Sequence, residues 1–378
     1  MTTSADEASS AALKRVRLEP VSFSSLHGIG KDDLGASLAA FRRQAREIID
    51  GGAGFSRLVL FGGRRDDWLP TCNAALAATD AHTFFASHFQ PYRVHAHDRP
   101  DGLFTGYYEP EAEGSREARA GYDVPVYRKP DDLVPFTEAE EQKTGLKYGR
   151  RVNGVAAPYI TRREIEEGAL KGRGLELCYL KSWVDAFFIH IQGSGRVRLP
   201  DGTSLRLSYA AKSGLPYTSI GAVLADRGVI ARETMSMQTL RTWMAAHPQD
   251  ARKLMWENRS FVFFREIAVE DETLGAVGAA RVHLTPHRSL AVDRANWMFG
   301  TPFWIETHYP PEAQRKNHGL SRLMIAQDTG SAIKGFVRGD FYWGWGSEAE
   351  LIAGHMKSPG RMTALLPHAV AASLGLPR

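Results

Sequence analysis

A stretch of the chain near residue 40 repeats hydrophobic residues at helical spacing. The repeat consists of Leu34, Leu38, Phe41, Ala45, Ile48 and Ile49. Because Asp32 or Asp33 can cap its first turn and Gly51 with Gly52 can end it, the pattern predicts a helix here. A second helix is predicted after Asp66. Residues 1 to about 30 are small and polar without a period, which is typical of a disordered arm.

Beyond residue 100, short runs of β-forming residues alternate with Gly and Pro. These runs are residues 103–110, 124–127, 186–191, 260–264, 290–292, 303–305, 323–327 and 362–366, and residues 196–207 read as a hairpin. Capping residues predict short helices at Thr161, Ser219, Ser236 and Ser347. Many short strands joined by long irregular connections favour a closed or nearly closed barrel, so the predicted fold class is mainly β with some α.

Composition excludes several classes of protein. The 378 residues are 43% hydrophobic and 24% charged, the mix of a globular domain, and no run approaches the roughly 18 apolar residues of a membrane span. The net charge of +4 comes from basic residues spread along the chain, so no nucleic-acid partner is expected. Cys72 and Cys178 are too few for a disulfide scaffold and have no zinc-site spacing. We expect them to stay unpaired. No export signal is visible at the start.

Candidate catalytic and sugar-binding residues are most concentrated between residues 325 and 346. Asp328 and Asp340 are twelve residues apart, each at the end of a β-like run, and Tyr342 and Trp343 follow the second aspartate. Sugar rings stack on aromatic side chains, and cleavage of a glycosidic bond requires a carboxylic acid that protonates the leaving oxygen. The alternative is structural, since an Asp in a Gly-rich turn often caps local backbone and aromatic residues of β-proteins usually belong to the core.

Eight sequence blocks in order then carry a resemblance to a known family. The blocks are residues 106–110 (GYYEP), 187–195 (FFIHIQGSG), 217–221 (YTSIG), 258–264, 284–293, 327–334, 338–344 (RGDFYWG) and 348–354. They resemble membrane-bound lytic murein transglycosylase A, and the resemblance covers roughly residues 60 to 367. This resemblance implies cleavage of the β-1,4 bond between N-acetylmuramic acid and N-acetylglucosamine in peptidoglycan, leaving a 1,6-anhydro sugar, with no metal or cofactor.

The resemblance also implies a domain plan and a location. Residues 31–109 and 256–378 would form a double-psi β-barrel with N-terminal helices, residues 110–255 a smaller inserted β-domain, and the substrate groove would lie between them. We expect a monomer whose partner is the peptidoglycan glycan strand. A periplasmic location in a Gram-negative cell, with peripheral outer-membrane association of the full-length precursor, is inferred from the substrate.

Site residues follow from the same blocks. Asp340 is the expected catalytic acid and then base, with Asp328 beside it, and burial or the charge of Asp328 should raise the pKa of Asp340. The expected substrate-binding residues are Thr105, Tyr107, Gln192, Gly193, Ser194, Gly195, Lys334, Tyr342 and Trp343, with Lys334 pairing with Asp328 or with the muramic acid carboxylate. Two alternatives stay open: an expansin-type protein that binds wall polysaccharide without cleaving it, and a hydrolase that uses both aspartates.

Overall fold

The computed structural model describes residues 14–97, 101–268, 271–330 and 332–377. Its strands are β1 Val16–Pro20, β2 Phe89–Ala96, β3 Gly102–Glu109, β4 Glu111–Ser115, β5 Val124–Tyr127, β6 Val134–Pro135, β7 Tyr148–Val152, β8 Val155–Ala157, β9 Glu176–Leu180, β10 Ser194–Arg198, β11 Ser204–Lys212, β12 Val262–Ile267, β13 Ser289–Val292, β14 Pro302–His308, β15 Gly319–Asp328, β16 Arg338–Trp345 and β17 Lys357–Pro367. Its α-helices are α1 Leu34–Asp50, α2 Arg65–Ala77, α3 Ala81–His88, α4 Glu138–Thr144, α5 Arg162–Glu164, α6 Trp183–Gln192, α7 Ile220–Asp226, α8 Met237–Ala246, α9 Pro248–Glu257, α10 Gly346–His355 and α11 His368–Ser373.

The chain forms two compact units. The first comprises Met1–Tyr108 and Thr273–Arg378, and the second comprises Glu109–Glu272. The predicted return to the barrel at residue 256 is wrong. Strand β12 pairs antiparallel with β11, so residues up to Glu272 belong to the second unit.

The first unit is built around a closed ring of six strands. The ring runs β3, β17, β14, β15, β13, β16 and back to β3, and β2 followed by β1 extends the sheet from β17. This ring confirms the predicted closed barrel and the mainly β fold class. Its interior is packed with large apolar side chains, among them Phe104 and Phe341, whose rings meet edge to face at 6.1 Å.

Helices cover one side of this barrel. Helix α1 begins at the predicted cap, where the Asp33 carboxylate accepts from the Ala36 amide, and it buries Phe41 completely. The predicted second helix is also present as α2. The expected disordered arm is wrong for its described part: β1 pairs with β2, and Phe23, Leu26 and Ile29 are buried against the same helices. Residues 1–13 lie outside the described residues.

The second unit combines a six-stranded sheet with short helices. The sheet order is β12-β11-β10-β4-β9-β5, and β6, β7 and β8 form a separate three-stranded sheet. The predicted hairpin is confirmed as β10 paired with β11. The predicted caps at Thr161, Ser219 and Ser236 each accept a hydrogen bond from the first turn of a helix.

Two local predictions fail. Residues 186–191 were expected as a strand but belong to helix α6, which Ser182 caps and Gly193 ends with a φ of 75°. The run shows no helical period because both faces of the helix are apolar. Ala186 and Ile189 face one core cluster, and Phe187 and Phe188 face another. The helix predicted at Ser347 exists as α10, but it begins at Gly346 and receives no side-chain cap.

Candidate active site

Two neighbouring strands, β3 and β16, carry three of the expected site residues on the outer face of the barrel. Side chains alternate along a strand, so Phe104 and Phe341 point into the core whereas Thr105, Tyr107 and Asp340 point the opposite way. All three outward side chains are only partly buried. The alternation of β3 and β16 thus places an accessible carboxyl group among hydroxyl groups.

The register of the barrel brings the second aspartate to the same face. Ala291 of β13 pairs with Asp340 on one side and with Asp328 on the other. The two aspartates therefore flank one small residue, with their Cα atoms about 9 to 10 Å apart across two strand spacings. The structure brings together the two carboxyl groups that the sequence singled out.

Asp340 is held by a chain of hydrogen bonds. The Thr105 hydroxyl donates to the Asp340 carboxylate and accepts from a guanidinium nitrogen of Arg338 at 2.8 Å. Burial raises the pKa of Asp340, while the Thr105 hydrogen bond and the positive charge of Arg338 oppose the rise and the Asp328 charge adds to it. The result is a carboxyl group that keeps its proton to higher pH than an exposed aspartate.

Asp328 is held differently, by main-chain donors. The amides of Ala279 and Thr329 donate to one carboxylate oxygen and the Tyr107 hydroxyl donates to the other, each at 2.9 Å. Burial raises the pKa of Asp328 although all three donors favour the ionised form. Burial and the neighbouring Asp328 charge also raise the pKa of Tyr107 well above its ordinary value, so this phenol stays protonated.

The expected aromatic platform needs a correction. Tyr342 is 1% exposed and Trp343 is 2% exposed, so neither ring offers a free surface for a sugar. Tyr342 packs against Tyr107 at 5.2 Å between ring centroids. Trp343 points into the barrel and stacks on Phe341, because it lies on the opposite face of β16 from Asp340. Tyr342 therefore packs against the Tyr107 side chain of the site, and Trp343 belongs to the barrel core.

Lys334 also has a different partner from the one expected. Its ammonium group lies 3.7 Å from a carboxylate oxygen of Asp293, so the described ion pair is with Asp293 and not with Asp328. Gln192, Gly193, Ser194 and Gly195 belong to the second unit, where they end helix α6 and begin strand β10. Their role toward a substrate stays a prediction.

Three residues of the site were not predicted from the sequence. Arg338 orients the Thr105 hydroxyl, and its place two residues before Asp340 on one strand was the signal that could have found it. Ala279 acts through its main-chain amide, which no side-chain pattern reveals. Lys357 pairs with Thr105 in the ladder between β17 and β3 and is exposed, so a positively charged residue lies next to Thr105. Among the residues that the structure describes, no group of side chains could hold a metal ion.

Comparison with known proteins places this geometry in a family. The sequence profile of the MltA specific insert domain matches residues 103–265, and that of the 3D domain matches residues 288–366. The membrane-bound lytic murein transglycosylase A of Vibrio cholerae is 32% identical over 327 residues, covering 85% of this chain and 80% of the relative. The chain belongs to the membrane-bound lytic murein transglycosylase A (MltA) family.

Solved structures agree with this assignment. A membrane-bound lytic murein transglycosylase from Agrobacterium tumefaciens is similar with a TM-score of 0.80 and 35% identity, over 94% of this chain and 99% of that one. MltA of Escherichia coli with bound chitohexaose is similar with a TM-score of 0.64 and 27% identity, over 93% of this chain and 91% of that one. The predicted family and fold class are confirmed.

Proposed function

We propose that this MltA family member is a peptidoglycan lytic transglycosylase in which Asp340 serves as acid and then as base. The bond it cleaves is the β-1,4 bond between N-acetylmuramic acid and N-acetylglucosamine. The observation that carries the proposal is a partly accessible carboxyl group whose pKa burial raises, because such a group is still protonated when the substrate arrives.

The reaction needs one carboxyl group and no water. Asp340 donates its proton to the oxygen that leaves with N-acetylglucosamine, and the bond from that oxygen to C1 of muramic acid breaks. The C6 hydroxyl oxygen of the same muramic acid then bonds to C1 and gives its proton to the Asp340 carboxylate. The products are a 1,6-anhydromuramic acid end and a new free hydroxyl on N-acetylglucosamine, and Asp340 regains its starting state.

The neighbours of Asp340 suit both halves of this cycle. In the first half the raised pKa keeps the proton available. In the second half the Thr105 hydroxyl and the Arg338 charge favour the carboxylate that forms, because both interact with the ionised form. In the described part of the chain, Asp328 makes no hydrogen bond to Asp340. Its proposed task is indirect: it raises the pKa of Asp340 by its charge and fixes Tyr107 and the Ala279 amide.

The deciding experiment replaces Asp340 with Asn. The amide is nearly isosteric but cannot donate an acidic proton, so Asp340→Asn should lose activity by several orders of magnitude while it still folds and binds chitohexaose. The measurement is mass spectrometry of the muropeptides that purified murein releases, with thermal unfolding and chitohexaose titration as controls. Turnover at the wild-type rate by the folded variant would remove Asp340 from this role. Muropeptides with ordinary reducing ends would indicate a hydrolase instead.

We also propose a location in the cell envelope, where the substrate lies, with the protein acting as a monomer. The membrane-bound relatives support the envelope location. No helix in the described part of the chain has the length and apolar character needed to cross a membrane. Periplasmic residence and contact with the outer membrane belong to the same proposal, and cell fractionation with an antibody to the chain tests them.

A further inference from the structure

A cavity of about 570 Å³ lies in the first unit, next to the strands that carry Thr105 and Asp340. Its lining includes Arg15, Leu103, Asp293, Lys334, Phe336 and Arg338. The volume falls within the range of small-ligand sites in proteins. The mechanism above uses only Arg338 of this set, through its hydrogen bond to Thr105.

Strand alternation fixes the place of this cavity relative to Asp340. Leu103 of β3 and Arg338 of β16 line the cavity and each stand two residues from a residue of the site, namely Thr105 and Asp340. Residues two apart on a strand share a face and are about 7 Å apart. Through Leu103 and Arg338 the cavity therefore reaches the outer face on which Asp340 lies, one step along the strands.

The cavity carries an excess of positive charge. Arg15, Lys334 and Arg338 line it together with one acidic residue, Asp293. The Asp293 carboxylate is already held in place, since one oxygen accepts from the Gly335 amide at 2.9 Å. The Lys334 side chain is 69% exposed, and its only described ion pair is the long contact of 3.7 Å to Asp293. Because an ammonium group has three donors, Lys334 can bind a second anion without leaving Asp293.

We propose that this cavity receives the acidic group that N-acetylmuramic acid carries on its O3 atom, with Lys334 as the cation that binds it. The shared chemistry is a carboxylate, supplied either by the lactyl group itself or by the acidic peptide attached to that group. N-acetylglucosamine has no such group. Occupation of the cavity would therefore set which sugar lies beside Asp340, and so which of the two alternating bonds is cleaved. This inference rests on the proposed function.

The test compares substrates with and without the acidic group. Lys334→Gln should raise KM about two- to fivefold on murein glycan strands, the effect of losing an exposed charge pair, while the Kd for chitohexaose stays at the wild-type value. Lys334→Arg keeps the charge and should restore most of the loss. Lys31→Gln, at an exposed lysine that does not line the cavity, is the matched control and should change neither quantity.

The two sources of the carboxylate are separated by using peptide-free and peptide-bearing strands. A larger KM effect on peptide-free strands assigns the site to the lactyl carboxylate, and a larger effect on peptide-bearing strands assigns it to the peptide. An equal loss on chitohexaose, or no loss on either murein substrate, would overturn the inference. Failure of the proposed function is a distinct result, because the wild-type protein would then release no anhydro-muropeptides, while direct titration with murein glycan and chitohexaose would still test the cavity.

Discussion

The role of Asp328 can be tested through the pH profile of the Asp328→Asn variant. The asparagine side-chain oxygen can still accept from the Ala279 and Thr329 amides, so the change removes mainly the negative charge. That charge raises the pKa of Asp340, and removing it should lower that pKa. Because the proposed reaction needs protonated Asp340, the alkaline limb of the profile should move to lower pH.

The size of the shift follows from the register. The two aspartates stand two strand spacings apart across Ala291, about 9.5 Å between Cα atoms. Two unit charges at that separation interact by about 1.7 kcal/mol at an effective dielectric constant of about 20. Both side chains are partly exposed and burial is the larger cause of the raised pKa of Asp340, so the Asp328 charge should contribute less than this upper value, and the alkaline limb should move to lower pH by the corresponding amount.

The assay is the rate of anhydro-muropeptide release across the pH range, measured for the variant and the wild type at the same ionic strength. An acid-shifted alkaline limb with residual activity at neutral pH supports the indirect role. An unmoved limb would refute the electrostatic reasoning. Complete inactivity at every pH, in a variant that is folded and still binds chitohexaose, would make Asp328 a direct participant in the reaction.

Three further predictions test the neighbouring structure. Thr105→Val removes a hydrogen bond that lowers the pKa of Asp340, so its alkaline limb should move to higher pH, opposite to the Asp328 variant, in the same assay. Both cysteines are buried with thiol pKa values of about 12, so a thiol reagent at pH 8 should label neither in the folded protein and both after unfolding without reductant; two extra thiols on reduction would show a disulfide. Gly106→Ala should lower the free energy of unfolding by about 1 to 3 kcal/mol in a denaturant titration, because the added methyl carbon would lie 2.6 Å from the Trp343 indole nitrogen. Wild-type stability of the variant would contradict this packing.

The sequence predicted those elements whose signal is local. Helix α1 has a capping aspartate, a regular apolar period and terminal glycines, and it begins and ends where these residues stand. Five of the six barrel strands were also found in part, because β-branched and aromatic runs bounded by Gly and Pro need no tertiary context. Strand β16 was not predicted, and Asp340 lies within it rather than at the end of a strand. Helix α6 was missed because it is buried on both sides, and an apolar run without a polar face has no period to detect. Strand β1 was not predicted either, because its residues become ordered only by pairing with β2, which is distant in sequence.

The residue types of the site were predictable, but their geometry was not. Asp328 and Asp340 could be chosen from one dense segment, yet nothing in their spacing of twelve residues sets their separation in space. The aromatic residues after Asp340 were assigned to the substrate on composition alone. Alternation along β16 sends Trp343 into the core, and the packing of Tyr107 covers Tyr342. A position in the sequence next to a catalytic residue therefore does not imply a position next to the substrate.

Ala291 explains how the barrel keeps two acids close without joining them. It pairs with both aspartates in the ladder, so the main chain of β13 separates their strands. Ala291 is buried, so a longer side chain there would crowd the groups packed between the two carboxyl groups. With the acids on adjacent strands, a direct carboxyl–carboxylate hydrogen bond would hold the proton that the proposed mechanism requires Asp340 to donate. One intervening strand lets the Asp328 charge raise the pKa of Asp340 through space while each carboxyl keeps its own donors, Thr105 for one and main-chain amides for the other.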